Sequence, residues 1–346
     1  HMEFEILVLV FGLLLVGAVA LIPVFLVVSR IYPFAYANAR IRAMRALLLK
    51  KEDFEDLLAK PYNEAIFTLE KKHYPTLSKF LGADFSYSSV DKALRSALIE
   101  DLGKVLSIAP EQSKPYLSAV LSQYDVEDIM TLVRSLNAKT SGDVSASNLV
   151  NVTKLFSSEF VDKADYSLES IHNELKGSGY AIILEKNMDE ISKGNFLSFE
   201  IELKKAYFRR LLHHAKSVEA KAYAKKIIDG RNIGLVLKGM DPILDGGRIE
   251  LLAYQGIKNG SGPAVAVLMK KHGYSVSSED PIQIEKEFYY GILRFAEGLL
   301  SKDPLSDASL IGFIALDRAI HRNVNILLKM KSHGFSREKI KGVLSL

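Results

Sequence analysis

The feature that most restricts how this chain can fold is an uninterrupted apolar segment near its amino end. From Ile6 to Val28 there is no charged residue, and Leu and Val dominate. At a rise of about 1.5 Å per residue, a helix of this length crosses a hydrocarbon core of about 30 Å. A helix that is apolar on every side is uncommon in a water-soluble domain. The segment therefore predicts a transmembrane helix, in which Pro23 is a candidate position for a kink.

The residues that flank this segment predict its orientation. Glu3 and Glu5 precede it, whereas a signal peptide would begin with basic residues. The basic residues that follow it are Arg30, Arg40, Arg42, Arg45, Lys50 and Lys51. Because Lys and Arg are enriched in cytoplasmic flanks, the rest of the chain is expected on the cytoplasmic face of the membrane. His1-Met2 is expected to remain from a cleaved purification tag, so residues 1–30 comprise a tag remnant and a membrane anchor.

The length and composition limit the classes of function that remain. A chain of 346 residues is too long for one ordinary hydrophobic core, so two or three structural units are expected. There is no Cys, which excludes disulfides, Cys-ligated zinc, iron–sulfur clusters and thiol nucleophiles. The net charge of +4 is small and dispersed. It lacks the clustered basic stripe of a nucleic-acid-binding protein, so no nucleic-acid partner is expected.

The hydrophobic pattern is helical through the rest of the chain, with no convincing strand alternation. Continuous helices are predicted over Tyr36–Leu58, from Ser88 through Leu106, over Ser198–Lys226 and over Ile284–Leu300. The short apolar run Tyr180–Leu184 is compatible with either a helix or a strand. The fold class predicted from these patterns is all-α.

A short box of residues occurs three times and indicates an internal repeat. The copies are Asp128–Arg134, Asn232–Lys238 and Asn323–Lys329. Each copy opens with Asp or Asn followed by a β-branched residue, and each closes on a cation. Its apolar residues share one helical face and are expected to be core, while its first residue is expected to start a helix or to form an inter-helix hydrogen bond. The alternative is that three amphipathic helices look alike without being repeats.

Each box is followed, after a polar turn, by a segment that predicts a short capped helix. These segments are Ser145–Val152, Asp245–Leu252 and Ser336–Leu344. A Ser or Asp at the head of such a segment suits an N-cap, because its side chain accepts an otherwise unpaired backbone N–H. Boxes and capped segments together predict three unequal helical modules, at residues 31–155, 156–255 and 256–346.

The candidate catalytic and metal-binding residues form no recognisable constellation. His213 and His214 are adjacent and point about 100° apart on a helix, so they are poorly placed to share a metal ion. His321 has no second His nearby and is expected to form a surface ion pair with Asp317, one turn before it. The glycine-containing turns match neither a Walker A loop nor a dinucleotide-binding fingerprint. The sequence therefore predicts no catalytic residue, cofactor, metal or small-molecule substrate.

Stretches near both ends of the region after the anchor resemble a known family. Tyr36–Met44 reads Tyr-Ala-Asn-Ala-Arg-Ile-Arg-Ala-Met, and the pattern continues to Asp53–Leu57. The other stretches are Pro304–Leu316, Arg322–Asn325 and Gly334–Ile340. Together they resemble the C subunit of archaeal-type (A-type, or bacterial V-type) rotary ATP synthases, and they are similar to the d subunit of eukaryotic V-ATPases. The resemblance covers nearly everything after the anchor.

The resemblance implies three similar helical modules arranged as a pseudo-threefold funnel. It also implies a non-catalytic socket on the cytoplasmic face of the proteolipid ring, into which the central axle, subunits D and F, is inserted. The apolar segment is a departure, because members of this family are expected to be soluble and to begin near the Tyr-x-Asn-Ala-Arg pattern. Ile6–Val28 is expected either to lie in or beside the ring and rotate with it, or to serve targeting only.

Arg40, Arg42 and Arg45 are the candidate interface residues, because they follow the predicted span directly. They are expected to contact either the ring at the membrane-facing end of the funnel or lipid headgroups. Two other interpretations of the chain remain open from its sequence. One is a membrane-tethered all-α scaffold unrelated to ATPases. The other is a membrane-anchored enzyme, which would show a deep pocket with strongly perturbed titratable groups.

Overall fold

The computed structural model describes most of the chain and contains no strand among the residues that it describes. These residues are 2–75, 77–81, 85–137, 149, 151, 155–161, 166–255, 257, 261–302 and 305–345, without the side chains of residues 2–20, 24, 26 and 30. Helices account for 75% of the chain, so the predicted all-α class is confirmed. The predicted capped helix Ser145–Val152 lies mostly outside the described residues.

The helices have short connections and differ widely in length. They are α1 (Met2–Arg45), α2 (Lys51–Ala59), α3 (Tyr62–Lys72), α4 (Leu77–Phe80), α5 (Tyr87–Ile108), α6 (Lys114–Asn137), α7 (Ser158–Val161), α8 (Leu168–Glu174), α9 (Gly179–Ser192), α10 (Leu197–His214), α11 (Val218–Leu237), α12 (Gly262–Lys271), α13 (Pro281–Leu300), α14 (Ala308–Ser332) and α15 (Arg337–Val343). A 3₁₀ turn covers Leu251–Tyr254.

The first helix joins the apolar segment to the folded body without interruption. It contains 44 residues, and its helical backbone continues through Pro23 and Pro33. The predicted helix Tyr36–Leu58 is wrong in one respect, because the chain turns after Arg45 and α2 begins separately. Local capping explains the break: the backbone N–H of Lys50 donates to the carboxylate of Asp53 at 2.8 Å. Such a cap replaces helical hydrogen bonds and is invisible to hydrophobic periodicity.

The two ends of α1 have opposite environments. Its described side chains from Leu21 to Ser29 are exposed although most of them are apolar, and Phe25 is 72% exposed. Further along, Phe34, Ala37 and Ile41 are buried where α1 packs on α5 and α14. Among the described helices, Leu21–Arg45 is the one long and apolar enough to cross a membrane by length and composition. Exposed apolar surface of this kind is typical of a membrane-contacting or protein-contacting segment.

The predicted helix Ser198–Lys226 is also divided in the structure. It becomes α10 and α11, which are separated by a turn at residues 215–217. The side chain of Ser217 accepts a hydrogen bond from the backbone N–H of Ala220 at 3.1 Å and starts α11. The helical spacing of apolar residues continues across this turn, because Ala215 is also buried. The sequence pattern therefore does not show where one helix ends and the next begins. The ambiguous run Tyr180–Leu184 is helical, within α9.

The segments predicted to follow the boxes behave differently from one another. Ser336 caps α15 as predicted, accepting from the backbone N–H of Lys339 at 3.4 Å. Asp245–Leu252 forms no α-helix, and only the 3₁₀ turn at Leu251–Tyr254 begins there. Gly246 adopts a φ of 88°, which lies outside helical conformations and interrupts the segment.

The central helix of the fold is α14, which packs against α1, α3, α5, α11, α13 and α15. Its closest neighbour is α13, and Gly312 permits their approach. A β-carbon at Gly312 would lie 2.8 Å from the carbonyl oxygen of Ala296 and 2.9 Å from the β-carbon of Leu299. Every residue from Ala308 to Asp317 is buried, because other helices pack around this half of α14.

Candidate functional site

The first residue of each box is buried and joined to the backbone of a later segment. The clearest copy is Asn232 on α11, which is 0% exposed. Its Oδ1 accepts from the backbone N–H of Ile243 at 3.2 Å and from that of Leu244 at 3.1 Å. Its Nδ2 donates to the carbonyl oxygen of Leu244 at 2.7 Å. The side chain therefore ties the loop after α11 back onto that helix. The hydrogen bonds join a helix to a loop, whereas the prediction was a bond between two helices.

The other two copies do the same on α6 and α14. The backbone N–H of Asn151 donates to Oδ2 of Asp128 at 2.8 Å. Asn323 donates from Nδ2 to the carbonyl oxygen of Ser345 at 2.8 Å and accepts from its N–H at 3.2 Å. All three box residues lie inside helices rather than at their starts. Chance resemblance between amphipathic helices does not require this shared buried contact, so the structure supports the internal repeat.

Sequence reasoning missed a second buried acid beside the box. Asp229, one turn before Asn232, is 0% exposed and accepts from the backbone N–H groups of Arg248 and Ile249, each at 3.1 Å. The hydroxyl of Tyr274 also donates to it. Burial raises the pKa of Asp229 above its usual value, and these hydrogen bonds oppose the shift. A sequence signal existed, since Asp125 stands at the same spacing before Asp128.

A cavity of about 530 Å³ lies between α5, α6, α11, α13 and α14. Its lining includes one charged or aromatic side chain from each helix: Arg95, Glu127, Arg231, Tyr289 and Arg318. These helices come from all three of the predicted modules. The cavity is thus the place where distant parts of the sequence meet, and it is the candidate functional site.

The charged side chains in the lining of the cavity are mostly basic. Its cations are Arg95, Arg231, Arg318, Arg322 and Lys329, and its one carboxylate is Glu127. Some of this charge is balanced locally. Arg95 lies 3.6 Å from Glu127 and 3.7 Å from Asp91, and Arg322 lies 3.1 Å from Glu285. Within the described residues, Arg231, Arg318 and Lys329 form no ion pair, so the cavity has excess positive charge.

Arg318 lies deepest among these cations. Its Nη2 donates to Oε1 of Gln123, while its Nη1 is buried without a hydrogen-bond partner. The tyrosines around it are Tyr124, Tyr207 and Tyr223, and burial raises the pKa of each phenol. These phenols are therefore neutral near pH 7 and do not act as counter-ions. An arginine guanidinium stays charged in proteins, so the positive charge of Arg318 is unbalanced.

His321, one turn further along α14, also lines the cavity. Its Nδ1 is buried and has no hydrogen-bond partner. Burial lowers the pKa of His321 to about 4; Asp91 opposes this shift, and Arg95 and Arg318 add to it. The imidazole is therefore neutral near pH 7.

The predicted surface ion pair between His321 and Asp317 is wrong. Asp317 is 1% exposed, and none of the ion pairs among the described residues joins it to His321. Burial raises the pKa of the Asp317 carboxyl well above its usual value, with a smaller contribution from Asp101. The helical spacing is suitable for a pair, but this part of α14 lies in the core, where burial disfavours the charged form of an unpaired carboxyl.

The other residues singled out from the sequence lie away from the cavity. Arg40, Arg42 and Arg45 are exposed near the end of α1 and are not among the lining residues. The rings of His213 and His214 are 4.9 Å apart and nearly perpendicular. Across the described part of the chain, no group of three or more acidic or His side chains is placed to hold a metal ion.

The chemistry available in the cavity favours binding over catalysis. Perturbed pKa values such as those of His321 and Tyr124 also occur in active sites. However, the described lining of the cavity contains no Ser, Thr or Cys that could act as a nucleophile beside His321, and Glu127 is held by Arg95 and Gln123. The fold and cavity together define an all-α protein with a partly open cavity whose charged side chains are mostly basic.

Comparison with known proteins then places the chain in a family. The family model described as ATP synthase (C/AC39) subunit matches residues 37–343. The chain belongs to this family, and the resemblance to the C subunit of rotary ATP synthases is confirmed. The alternative of a scaffold unrelated to ATPases is therefore wrong. The matched residues begin after the apolar segment.

Several similar proteins are each named as the C subunit of an A-type ATP synthase. That of Thermococcus kodakarensis is 23% identical over 340 residues, covering 89% of each chain. That of Thermococcus gammatolerans is 25% identical over 346 residues, covering 92% of this chain and 91% of the relative. That of Pyrococcus horikoshii is 27% identical over 214 residues, covering 60% of this chain and 56% of the relative. The identity is low, but for the two Thermococcus relatives the similarity extends over about nine-tenths of the chain.

Proposed function

We propose that the protein is the non-catalytic socket of the central stalk in a rotary ATP synthase. It joins the axle subunits D and F to the proteolipid ring on the cytoplasmic face of the membrane. The observation that carries this proposal is the cavity between α5, α6, α11, α13 and α14, which brings together helices of the predicted modules 31–155, 156–255 and 256–346. In the proposed arrangement the modules form a pseudo-threefold funnel, and the axle enters this opening.

A socket that transmits torque needs stiffness and several separated contacts rather than reactive groups. The repeated Asp/Asn contact supplies stiffness in the same way three times, at Asp128, Asn232 and Asn323. Each fixes the segment after a long helix to the helix itself. The surroundings of the cavity would then move as one body when the axle turns.

The exposed apolar part of α1 supports a membrane attachment. The described side chains Leu21, Phe25 and Val28 are each more than half exposed, and all are apolar. In the proposed arrangement Ile6–Val28 lies in or beside the proteolipid ring and rotates with it, while targeting alone is the second role. Comparing the full chain with residues 31–346 tests this, because the truncation retains the buried contacts of Phe34, Ala37 and Ile41. Unchanged membrane association and assembly of the truncated chain would exclude both roles.

The exposed Arg40, Arg42 and Arg45 follow this span on the same helix. They are proposed to contact the ring at the membrane-facing end of the socket or the headgroups beside it. Both assignments use the same property, an unshielded positive charge at the end of an apolar helix.

The main test is affinity purification of the tagged full chain from detergent-solubilised native membranes. Co-purification of the proteolipid ring and of axle subunits is expected, and the absence of both would overturn the proposal. The variant Ala319→Trp introduces a large side chain into the cavity lining and should reduce recovery of the axle while retaining the ring. Val267→Trp, at a position 68% exposed on α12, is the matched control and should retain both. Circular dichroism checks that both variants are folded.

A further inference from the structure

The buried positive charge of Arg318 has no counter-ion among the described residues of the protein. Moving a guanidinium from water into a protein interior costs several kcal/mol unless an anion or a full set of hydrogen bonds compensates it. The partners of Arg318 are all neutral: it donates to Gln123 and interacts with the hydroxyls of Tyr207 and Tyr223. Its Nη1 has no well-formed hydrogen bond, and no anion in the described part of the chain balances its charge. The phenols of Tyr124 and Tyr223 are protonated, since burial raises their pKa.

The carboxylates near the cavity are already engaged elsewhere. Glu127 interacts with Arg95 and accepts from Nε2 of Gln123 at 2.8 Å. Asp91 interacts with the same Arg95 and accepts from Asn325. Glu285 pairs with Arg322, whose guanidinium also lies 3.6 Å from the centre of the Tyr289 ring. None of these carboxylates is free to balance Arg318.

Other donors and charges border the same space. The Nδ1 of His321 has no partner, and it becomes a hydrogen-bond donor in the appropriate tautomer. Arg231 and Lys329 also line the cavity and form no ion pair within the described residues. A volume of about 530 Å³ accommodates a small polyvalent anion together with water.

We propose that the cavity contains a binding site for an oxyanion, a carboxylate or phosphate group, anchored by Arg318. The guanidinium offers the unpaired Nη1, and its planar fork suits carboxylate and phosphate geometry. His321 donates from the same helix, and Arg231 and Lys329 add long-range attraction from other parts of the lining. The oxyanion is either a free small anion or an acidic side chain on an inserted polypeptide. The assignment to an inserted polypeptide rests on the proposed function, whereas the assignment to a free anion does not.

Isothermal titration of the purified full chain in detergent tests the site directly. The probes are sodium pyrophosphate and citrate, added at constant ionic strength in chloride. Saturable binding of at least one probe is expected. Arg318→Met should weaken it about 10- to 100-fold, the range expected when a charge-assisted hydrogen bond is lost. Arg318→Lys retains the positive charge but not the planar guanidinium. Its affinity for the probe should lie between that of the unmodified chain and that of Arg318→Met. Arg209→Gln, an exposed change on α10, is the control and should leave binding unchanged.

A variant of Arg318 can also fail to fold, so His321→Gln and Arg231→Gln are measured beside it with a thermal unfolding curve for each. Both are expected to weaken probe binding more than Arg209→Gln does. The proposal is overturned if neither probe binds the unmodified chain with a Kd below about 10 mM. It is equally overturned if binding is the same in the cavity variants and in the control.

The source of the oxyanion is identified by repeating the titration on the chain bound to its axle subunits. Loss of pyrophosphate binding there assigns the site to an acidic side chain of the inserted polypeptide. Undiminished binding assigns it to a free anion. Small-anion binding by the isolated chain requires neither ring nor axle. If co-purification fails, the socket function is overturned, but the proposal of an anion site is not affected.

Discussion

Asn323 and Ser345, which are 22 residues apart, exchange two hydrogen bonds in the interior of the protein. The amide of Asn323 donates to the carbonyl oxygen of Ser345 at 2.8 Å, and the N–H of Ser345 donates back at 3.2 Å. Both residues are 1% exposed. This contact holds the segment after α15 against α14, the helix that lines much of the cavity.

Replacing Asn323 by Ala should therefore destabilise the protein strongly. The change leaves a buried N–H and a buried carbonyl group of Ser345 without their partner, which is expected to cost about 2–4 kcal/mol. The free energy of unfolding, measured by urea titration with circular dichroism in detergent, gives the value. Asn63→Ala removes an exposed amide on α3 and should cost about 0.5 kcal/mol or less. Equal effects at the two positions would contradict the assigned role of the box.

The contact between α13 and α14 predicts opposite effects for two glycines. Gly312→Ala places a β-carbon 2.8 Å from the carbonyl oxygen of Ala296, so it should destabilise the fold by about 1–3 kcal/mol. Gly298 on α13 has open space around its β-carbon position. There, alanine should stabilise the helix by up to about 1 kcal/mol, because glycine is the weaker helix former. The midpoints of urea unfolding compare the two variants, and a shift in the same direction for both would exclude this packing.

The buried carboxyl of Asp317 predicts a dependence of stability on pH. Burial raises its pKa in the folded state above the unfolded value of about 3.9. The folded chain therefore binds this proton more tightly, and the contribution to stability is lost as the pH rises from about 4 through the folded pKa. Asp317→Asn should be more stable than the unmodified chain at pH 7, by about 1.4 kcal/mol for each unit of the shift.

Unfolding titrations at several pH values measure this difference. The stability advantage of Asp317→Asn should shrink on acidification and disappear below about pH 3, where the carboxyl is protonated in both the folded and the unfolded state. The exposed Asp241→Asn is the control and should show no comparable trend. A constant difference between Asp317→Asn and the unmodified chain across the pH range would show that this carboxyl does not titrate differently in the two states.

The three arginines after the span predict a loss of attachment when they are neutralised. Changing Arg40, Arg42 and Arg45 together to Gln should weaken either ring binding in detergent or the binding of residues 31–346 to anionic vesicles. The effect on vesicle binding is expected to be about 1 kcal/mol per residue. A loss of ring co-purification indicates a protein contact, whereas a loss on vesicles alone indicates headgroups.

The control for this variant neutralises three exposed lysines elsewhere in the chain, namely Lys186, Lys205 and Lys221. It removes the same formal charge, so it accounts for the nonspecific effect of net charge on membrane binding. If the two triple variants behave alike in both assays, the arginines have no special position at the interface.

The residues and spacings read from the sequence determined the helical class, the apolar segment and the repeated box. These properties follow from local periodicity and composition, because a helix repeats its faces every few residues wherever it lies. The same local rules missed the turn at residues 215–217, because α10 ends at His214 and Ser217 starts α11 without a gap in the pattern of apolar residues. They also placed Asp317 at the surface, since a spacing suitable for an ion pair carries no information about burial.

Only the tertiary structure decided which distant segments of the chain meet. The cavity joins Arg95, Arg231 and Arg318, which are far apart in the sequence, and no local pattern relates them. The unbalanced charge of Arg318 likewise results from packing, because it depends on which side chains of other helices surround it and which carboxylates are already paired. The sequence alone specified the helices and the residues that repeat; helix packing decided that one arginine faces a cavity without a counter-ion.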